Sequence, residues 1–194
     1  MPNRQLLGGR LAIDFANITP TGRYLSWEEF LQFLDAGRIV SPERSAQLLT
    51  LSLTEAQAVD RVLLKTLRLR ESLRAIFNAI VAKEKFPPEW TEPINEILRV
   101  TEGHDELTLH GGAWQMEFVA REGGLDWLLA AIARSAAEII IEGDRAPLRR
   151  CANLDCGLFF YDASRTRRRR WCSMALCGNR HKVAAFARRR KPRN

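Results

Sequence analysis

Residues 151–180, CANLDCGLFFYDASRTRRRRWCSMALCGNR, decide how the rest of the chain is read, because all four of its cysteines lie there. They form two pairs of identical spacing, Cys151 with Cys156 and Cys172 with Cys177, separated by a connector of fifteen residues. Zinc bound by thiolates takes four soft ligands at tetrahedral corners, so the two pairs supply one structural site with no sulfur left over. With all four positions filled by protein, no position stays open for water, and the ion is architectural and not catalytic. Two disulfides, or four unrelated buried thiols, are the competing readings. Residues 1–10 contain no apolar signal core, which points to a reducing, cytoplasmic setting where disulfides are rare. His181 is positioned as a substitute ligand, although Cys177 already provides a sulfur. Gly157 and Gly178 each follow the second cysteine of a pair, and both are expected to take positive φ and turn amides toward sulfur. The aromatic run 158–161 reads as a short strand, and Asp162 to Ser164 as a turn that sends the chain back toward Trp171 in a small hairpin.

Outward from the cysteines, charge is the next signal. The chain of 194 residues carries +7 overall, yet from Arg149 onward twelve arginines and two lysines face only Asp155 and Asp162, a segment of +12. The preceding 148 residues therefore carry −5. Positive charge gathered in one small unit attracts a phosphate backbone, and an acidic body stays out of that contact. Arg165 and Arg167 to Arg170 lie in the connector. Residues 179–191 read as a helix in which Val183, Ala184, Phe186 and Ala187 face the finger while Arg180, Lys182, Arg188 and Arg189 stay outside. Two basic elements thus straddle phosphates, with Asn179 or Arg180 placed to reach a base edge. Replacing Arg168 and Arg169 is expected to weaken binding to every sequence and flatten its salt dependence. RNA, or an acidic protein, is the alternative partner for the same arginines.

The first 143 residues read as a separate, mainly helical domain with one β-hairpin, the finger occupying 149–194. Apolar residues make up 46% of the chain, enough for a packed core, and no run is apolar enough to span a membrane. Leu11, Ile13 and Phe15 alternate with Ala12, Asp14 and Ala16, the pattern of a strand or extended segment. Ser26 with Glu29 forms a capping box before a helix that Gly37 stops, and Ser41 with Pro42 opens another. Thr54 with Gln57 repeats the box before the longest helix, which ends at Pro87 and Pro88. Arg68, Arg70 and Arg74 on that helix read as a solvated outer face. A shorter helix carries Ile94, Ile97 and Leu98. Around Gly111 and Gly112, a two-residue hairpin turn sets Leu109 opposite Trp114 and Leu107 opposite Met116. The segment from Leu125 to Gly143 is a central buried helix, and 144–149, with Pro147, a hinge.

CANLDCGLFFYD followed by WCSMALCGNR resembles the CGNR zinc finger, whose name is spelled here by Cys177, Gly178, Asn179 and Arg180. The N-terminal GRLAIDFANI, with Asp14, Phe15 and Asn17, and the WEEFLQFL that follows are similar to the ABATE domain that accompanies such fingers in a bacterial family. The finger is read as treble-clef-like or ribbon-like, and the resemblance implies a stress-responsive transcription regulator whose N-terminal domain senses a signal or ligand. No phosphate loop, serine elbow or spaced histidine pair is present, and His104, His110 and His181 are too scattered to form a catalytic set. Asp14 and Asn17 are the polar pair of an apolar segment. Three readings of them stay open: lining a pocket for a small effector, capping or turn-closing, and an enzyme site with the finger as a staple. A DNA-binding regulator is the expected function, with an RNA- or protein-binding adaptor behind it. A homodimer would suit a palindromic target, although no heptad seam is visible.

Overall fold

In the computed structural model, which describes residues 6–19, 24–100, 103–110, 113–120 and 124–190, the fold is mainly helical with two small antiparallel sheets. The helices are α1 (Leu11–Ala16), α2 (Trp27–Ala36), α3 (Pro42–Leu51), α4 (Ala56–Ala82), α5 (Glu92–Val100), α6 (Ala130–Glu142) and α7 (Asn179–Arg190). Strands β1 (Gly103–His110) and β2 (Ala113–Ala120) pair with each other, as do β3 (Leu148–Arg150) and β4 (Phe159–Tyr161).

Most starts and stops follow local chemistry. Ser26 and Glu29 close the expected capping box on α2, and the Ser41 hydroxyl accepts from the Arg44 amide with Pro42 in the first turn of α3. In β1 and β2 the register sets Leu107 opposite Met116 and Leu109 opposite Trp114, as the sequence predicts. The Gly111–Gly112 connection lies outside the described residues. Before α4 the Thr54 box does not form: the helix begins after Glu55, and the Thr54 hydroxyl donates instead to the Leu51 carbonyl. The far end of α4 stops before either proline, at Lys83 in the left-handed conformation with φ 59°.

The segment expected as a strand at 11–16 is a helix, α1. Residues 12–16 are all buried, so both sets of the apparent alternation face protein and period two carries no information. Six residues cannot hold a helix alone, and neighbours satisfy its ends. The Ala12 amide donates to Ser135 Oγ on α6 (3.2 Å), while Arg74 and Arg70 on α4 donate to the carbonyls of Ala16 (3.0 Å) and Ile18 (2.6 Å). Two of the three α4 arginines read as solvated thus turn inward, where cations suit a helix C-terminus. Arg68 stays exposed.

The main core gathers α1, α2, α4, α5 and α6 around Phe15, Phe30, Phe77 and Ile139. It also takes in Ala146, Leu148 and Phe159, so the segment expected as a hinge is packed against the body. Phe159 meets Phe77 edge to face at 5.8 Å between centroids. Its neighbour Phe160 points to the other side of β4 and joins Cys151, Cys172 and Cys177 in a second, smaller cluster. One strand is therefore the shared wall of two cores, by the ordinary alternation of side chains along it.

Asn17 ties that wall to α1. Its Nδ2 donates to the Phe159 carbonyl (2.8 Å), and its Oδ1 accepts from the Phe159 amide (2.9 Å). Asn17→Ala leaves both main-chain groups without these partners. It should lower unfolding stability by about 2 kcal/mol in urea titration. An unchanged midpoint would show that water replaces the amide without loss.

Candidate metal centre and basic connector

The first cysteine pair lies in the loop between β3 and β4. Cys151 follows β3 directly and its amide donates to the Leu158 carbonyl (2.9 Å), closing the loop that carries Cys156. The aromatic strand thus pairs backward with β3, not forward with the chain after Trp171, which corrects the expected hairpin. Cys172 precedes a wide π-type turn, Met174–Gly178, that contains Cys177 and runs straight into α7. A knuckle between two strands and a second pair at a helix start are the parts of a treble-clef-like finger.

All four Sγ atoms lie within 4.8 Å of one another, with Cys156 to Cys172 at 3.6 Å and Cys172 to Cys177 at 3.7 Å. Zinc–sulfur bonds of about 2.3 Å at tetrahedral angles put sulfurs about 3.8 Å apart, so the cluster matches the spacing the ion needs. No pair is joined as a disulfide. Cys151, Cys172 and Cys177 are buried and Cys156 sits at the rim. Protein N–H groups reach the sulfurs from outside: the Cys172 amide approaches Cys151 at 3.5 Å, and Asn153 Nδ2 approaches Cys177 at 3.6 Å. Without a cation the crowding has a cost, since burial raises the pKa of Cys172 and Cys156. Burial acts the same way on Cys177, but hydrogen bonds from Asn153 and the other cysteines outweigh it and lower that pKa. A divalent ion removes the conflict by neutralising thiolates that cannot otherwise share so small a space.

The two glycines serve different ends. Gly157 takes φ +65°, as expected. Gly178 does not enter the left-handed region; a Cβ there would come within 2.4 Å of Met174 Sδ and 3.3 Å of Trp171. His181 stands outside the sulfur cluster, its ring 4.8 Å from that of Trp171.

The connector between the pairs is a built loop. Asp162, fully buried, accepts from the Ser164 amide (3.2 Å) and hydroxyl (2.6 Å) and from the Arg169 amide (2.9 Å), with Arg149 Nε at 3.4 Å. Burial pushes this carboxyl toward protonation, yet Ser164, the Arg169 amide and Arg149 outweigh it and hold it below its ordinary value. Arg167 is left-handed with φ 48°, and its carbonyl accepts from Arg149. Arg169 folds inward: Nε donates to the Trp171 carbonyl (2.8 Å), an amino group donates to the Cys172 carbonyl, and the guanidinium stacks 4.6 Å from the Phe160 ring centre. Arg165, Arg167, Arg168 and Arg170 remain exposed. One arginine of the five is thus part of the finger's interior, a role that composition alone cannot separate from the others.

On α7, Asn179, Arg180 and Lys182 are exposed, and Asn179 Nδ2 donates to the Ala175 carbonyl (3.1 Å). The side chains of Arg188 and Arg189 lie outside the described residues. Val183 and Phe186, expected to pack on the finger, are 68% and 60% exposed. The finger's small core is already filled by Phe160, Leu158 and Trp171, so α7 extends beyond anything it could cover. The turn expected at Asp162 to Ser164 forms, as an Asx-type turn; sequence reading missed the hold of Asp162 on Arg169 and Arg149, and Asn153 altogether.

Asp14 and Asn17 are committed to main chain. The Gly8 amide donates to Asp14 Oδ1 (2.7 Å), and Asn17 holds β4 as described. Burial raises the Asp14 pKa from 3.8 to about 6, against the pull of the Gly8 and Gly9 amides. The folded protein then keeps a proton that the unfolded chain has released, so this group costs stability as pH rises from 3.8 to about 6 and above. Asp14→Asn keeps an acceptor for Gly8 without the charge. The variant should lack a decline of about 3 kcal/mol across that window, read by urea titrations from pH 4 to 7. Parallel curves for the two proteins would place the ordinary carboxylate value at Asp14.

These parts define a class: a helical body whose C-terminal strands and last helix carry a four-cysteine zinc finger. The family model for ABATE, described as "Putative stress-induced transcription regulator", matches residues 9–143, and that for the CGNR zinc finger matches residues 148–190. The chain belongs to the ABATE family with a C-terminal CGNR zinc finger. No curated protein matches it. No helix among the described residues is long and apolar enough to cross a membrane.

Proposed function

We propose that this chain is a DNA-binding transcription regulator of the cytoplasm and not an enzyme. One zinc ion held by Cys151, Cys156, Cys172 and Cys177 folds the finger unit, 149–194, and the N-terminal unit, 1–143, senses a small ligand. Arg165, Arg167, Arg168 and Arg170, with Arg180, Lys182, Arg188 and Arg189 from α7, hold phosphates, while Asn179 and Arg180 reach base edges. The observation that carries this reading is the connector itself. Asp162 and Arg169 fix its main chain from inside, so the exposed guanidinium groups present charge from a stiff loop, not from a solvated tail. The hydrogen bonds of Asp14 and Asn17 to main chain favour a structural part for both over a catalytic one.

The test is selection of DNA from a random pool by the zinc-loaded protein, followed by sequencing. Enrichment of a defined motif supports the reading, and paired half-sites would indicate a dimer. An unenriched pool, or preferential recovery of RNA or of an acidic protein in parallel captures, overturns it.

A further inference from the structure

A cavity of about 380 Å³ opens between the segment just before α2 and helix α4, lined by Tyr24, Leu25, Leu63, Leu64, Thr66, Leu67 and Arg70; the Thr66 hydroxyl already donates to the Leu63 carbonyl. Four leucines make its wall apolar. Arg70 supplies the cation that lines it. One amino group of Arg70 donates to the Ile18 carbonyl, but its Nε is buried and has no hydrogen-bond partner among the described residues. No carboxylate forms an ion pair with it among the described residues either, and its neighbour Arg74 is of like charge. Burial, and then Arg74, push the guanidinium pKa down, against the opposing pull of Glu71 next along α4. A buried N–H donor without an acceptor is costly, and native interiors seldom keep one unless something else fills the position.

We propose that this cavity binds a small monocarboxylate with an apolar tail, its carboxylate on the Arg70 guanidinium and its tail among Leu25, Leu63, Leu64 and Leu67. A carboxylate oxygen satisfies the Nε–H directly, and the planar guanidinium suits a carboxylate better than a single-point donor would. A phosphate ester needs more donors than one partly occupied guanidinium offers, and the leucine wall leaves them unsupplied. The volume lies within the range of ordinary small-molecule pockets. The assignment rests on the ligand-sensing half of the proposed function and names the chemical class that half would recognise. Arg70 also closes the C-terminal end of α1, the helix whose Asn17 holds β4.

Titration calorimetry on the full zinc-loaded chain tests it, with octanoate and 4-phenylbutyrate as probes and 1-octanol and 4-phenylbutanol as their uncharged counterparts. Saturable binding of a carboxylate at least tenfold tighter than its alcohol is expected. Arg70→Gln should abolish that preference. Because Arg70 also supports α1, a second variant guards against simple misfolding: Leu64 is 51% exposed, so Leu64→Glu leaves the core intact and sets a negative charge on the cavity wall. It should weaken carboxylate binding tenfold or more while leaving the melting temperature unchanged. Equal affinity for acid and alcohol, no saturation by either acid, or full carboxylate affinity in Leu64→Glu overturns the assignment. The heats are read without DNA, so a negative result falls on the cavity alone, and DNA binding stands or falls by its own titration.

Discussion

Replacing Arg167, Arg168 and Arg170 together by alanine should flatten the dependence of log K on log salt by about 2.7, roughly 0.9 for each phosphate contact removed. The same charges set the loss of affinity. If the electrostatic contribution vanishes near 1 M salt, three contacts at 0.1 M amount to about five hundredfold, shared by specific and unrelated duplexes alike. Arg169→Ala is the informative contrast. That guanidinium is bound to the carbonyls of Trp171 and Cys172 and lies on Phe160, so its loss should lower the finger's melting temperature and leave the salt slope of the folded protein nearly unchanged. Sequence reading grouped Arg168 with Arg169 as equivalent phosphate contacts; the fold divides them. Filter-binding or anisotropy titrations at four or more salt concentrations give both numbers. A triple variant with the parent slope would remove the connector from the interface, and a flattened slope in Arg169→Ala would restore that residue to it.

Which features were legible in the sequence follows from how local their causes are. The sulfur spacing, the capping box at Ser26 and the 107–116 register are each set by residues a few positions apart, and they emerge as expected. Helix α1 was not legible, because its ends are completed by Ser135, Arg70 and Arg74, more than fifty positions away in each case. The same distance hid the part played by Asn17. A polar residue in an apolar segment announces that it has a partner, but only the fold reveals that the partner is the main chain of Phe159, 142 positions on. The inward turn of Arg169 was hidden for another reason. In a run of like residues, sequence carries no mark of which one the loop folds under; the acceptors that Arg169 finds, the carbonyls of Trp171 and Cys172, exist only once the loop is closed. Exposure of Val183 and Phe186 was missed because amphipathic spacing says that a face exists, not that anything is there to meet it.

Removing zinc should have the largest structural effect, and the two-core arrangement predicts how far that effect travels. Structural zinc contributes about 10–16 kcal/mol in small finger peptides at neutral pH, comparable to the whole stability of a domain, so the finger is expected to have no folded metal-free state. The unit lost is the cluster around Phe160 and the buried cysteines. Phe159 belongs to the other side of β4 and is held by Phe77 and Asn17, through contacts that involve none of the four sulfurs. Chelation should therefore release hydrogen-exchange protection across 151–157 and 170–180, abolish the proposed DNA binding, and leave the Phe159 amide, α4 and α6 protected. Single substitutions should be graded by burial. Cys172→Ser, at the most buried ligand with 1% exposure, should reduce zinc from one ion per chain to none. Cys156→Ser, at the half-buried rim, lets water complete the coordination and should retain zinc with weakened affinity. Acidification acts in the same direction, since protons compete for the thiolates and zinc release should begin as pH falls. Metal content by emission spectroscopy and exchange read by mass spectrometry measure both effects. Full protection of residues 151–157 and 170–180 after chelation would mean that packing on β4, not the ion, folds the finger; loss of protection in α4 as well would mean that the two cores unfold as one.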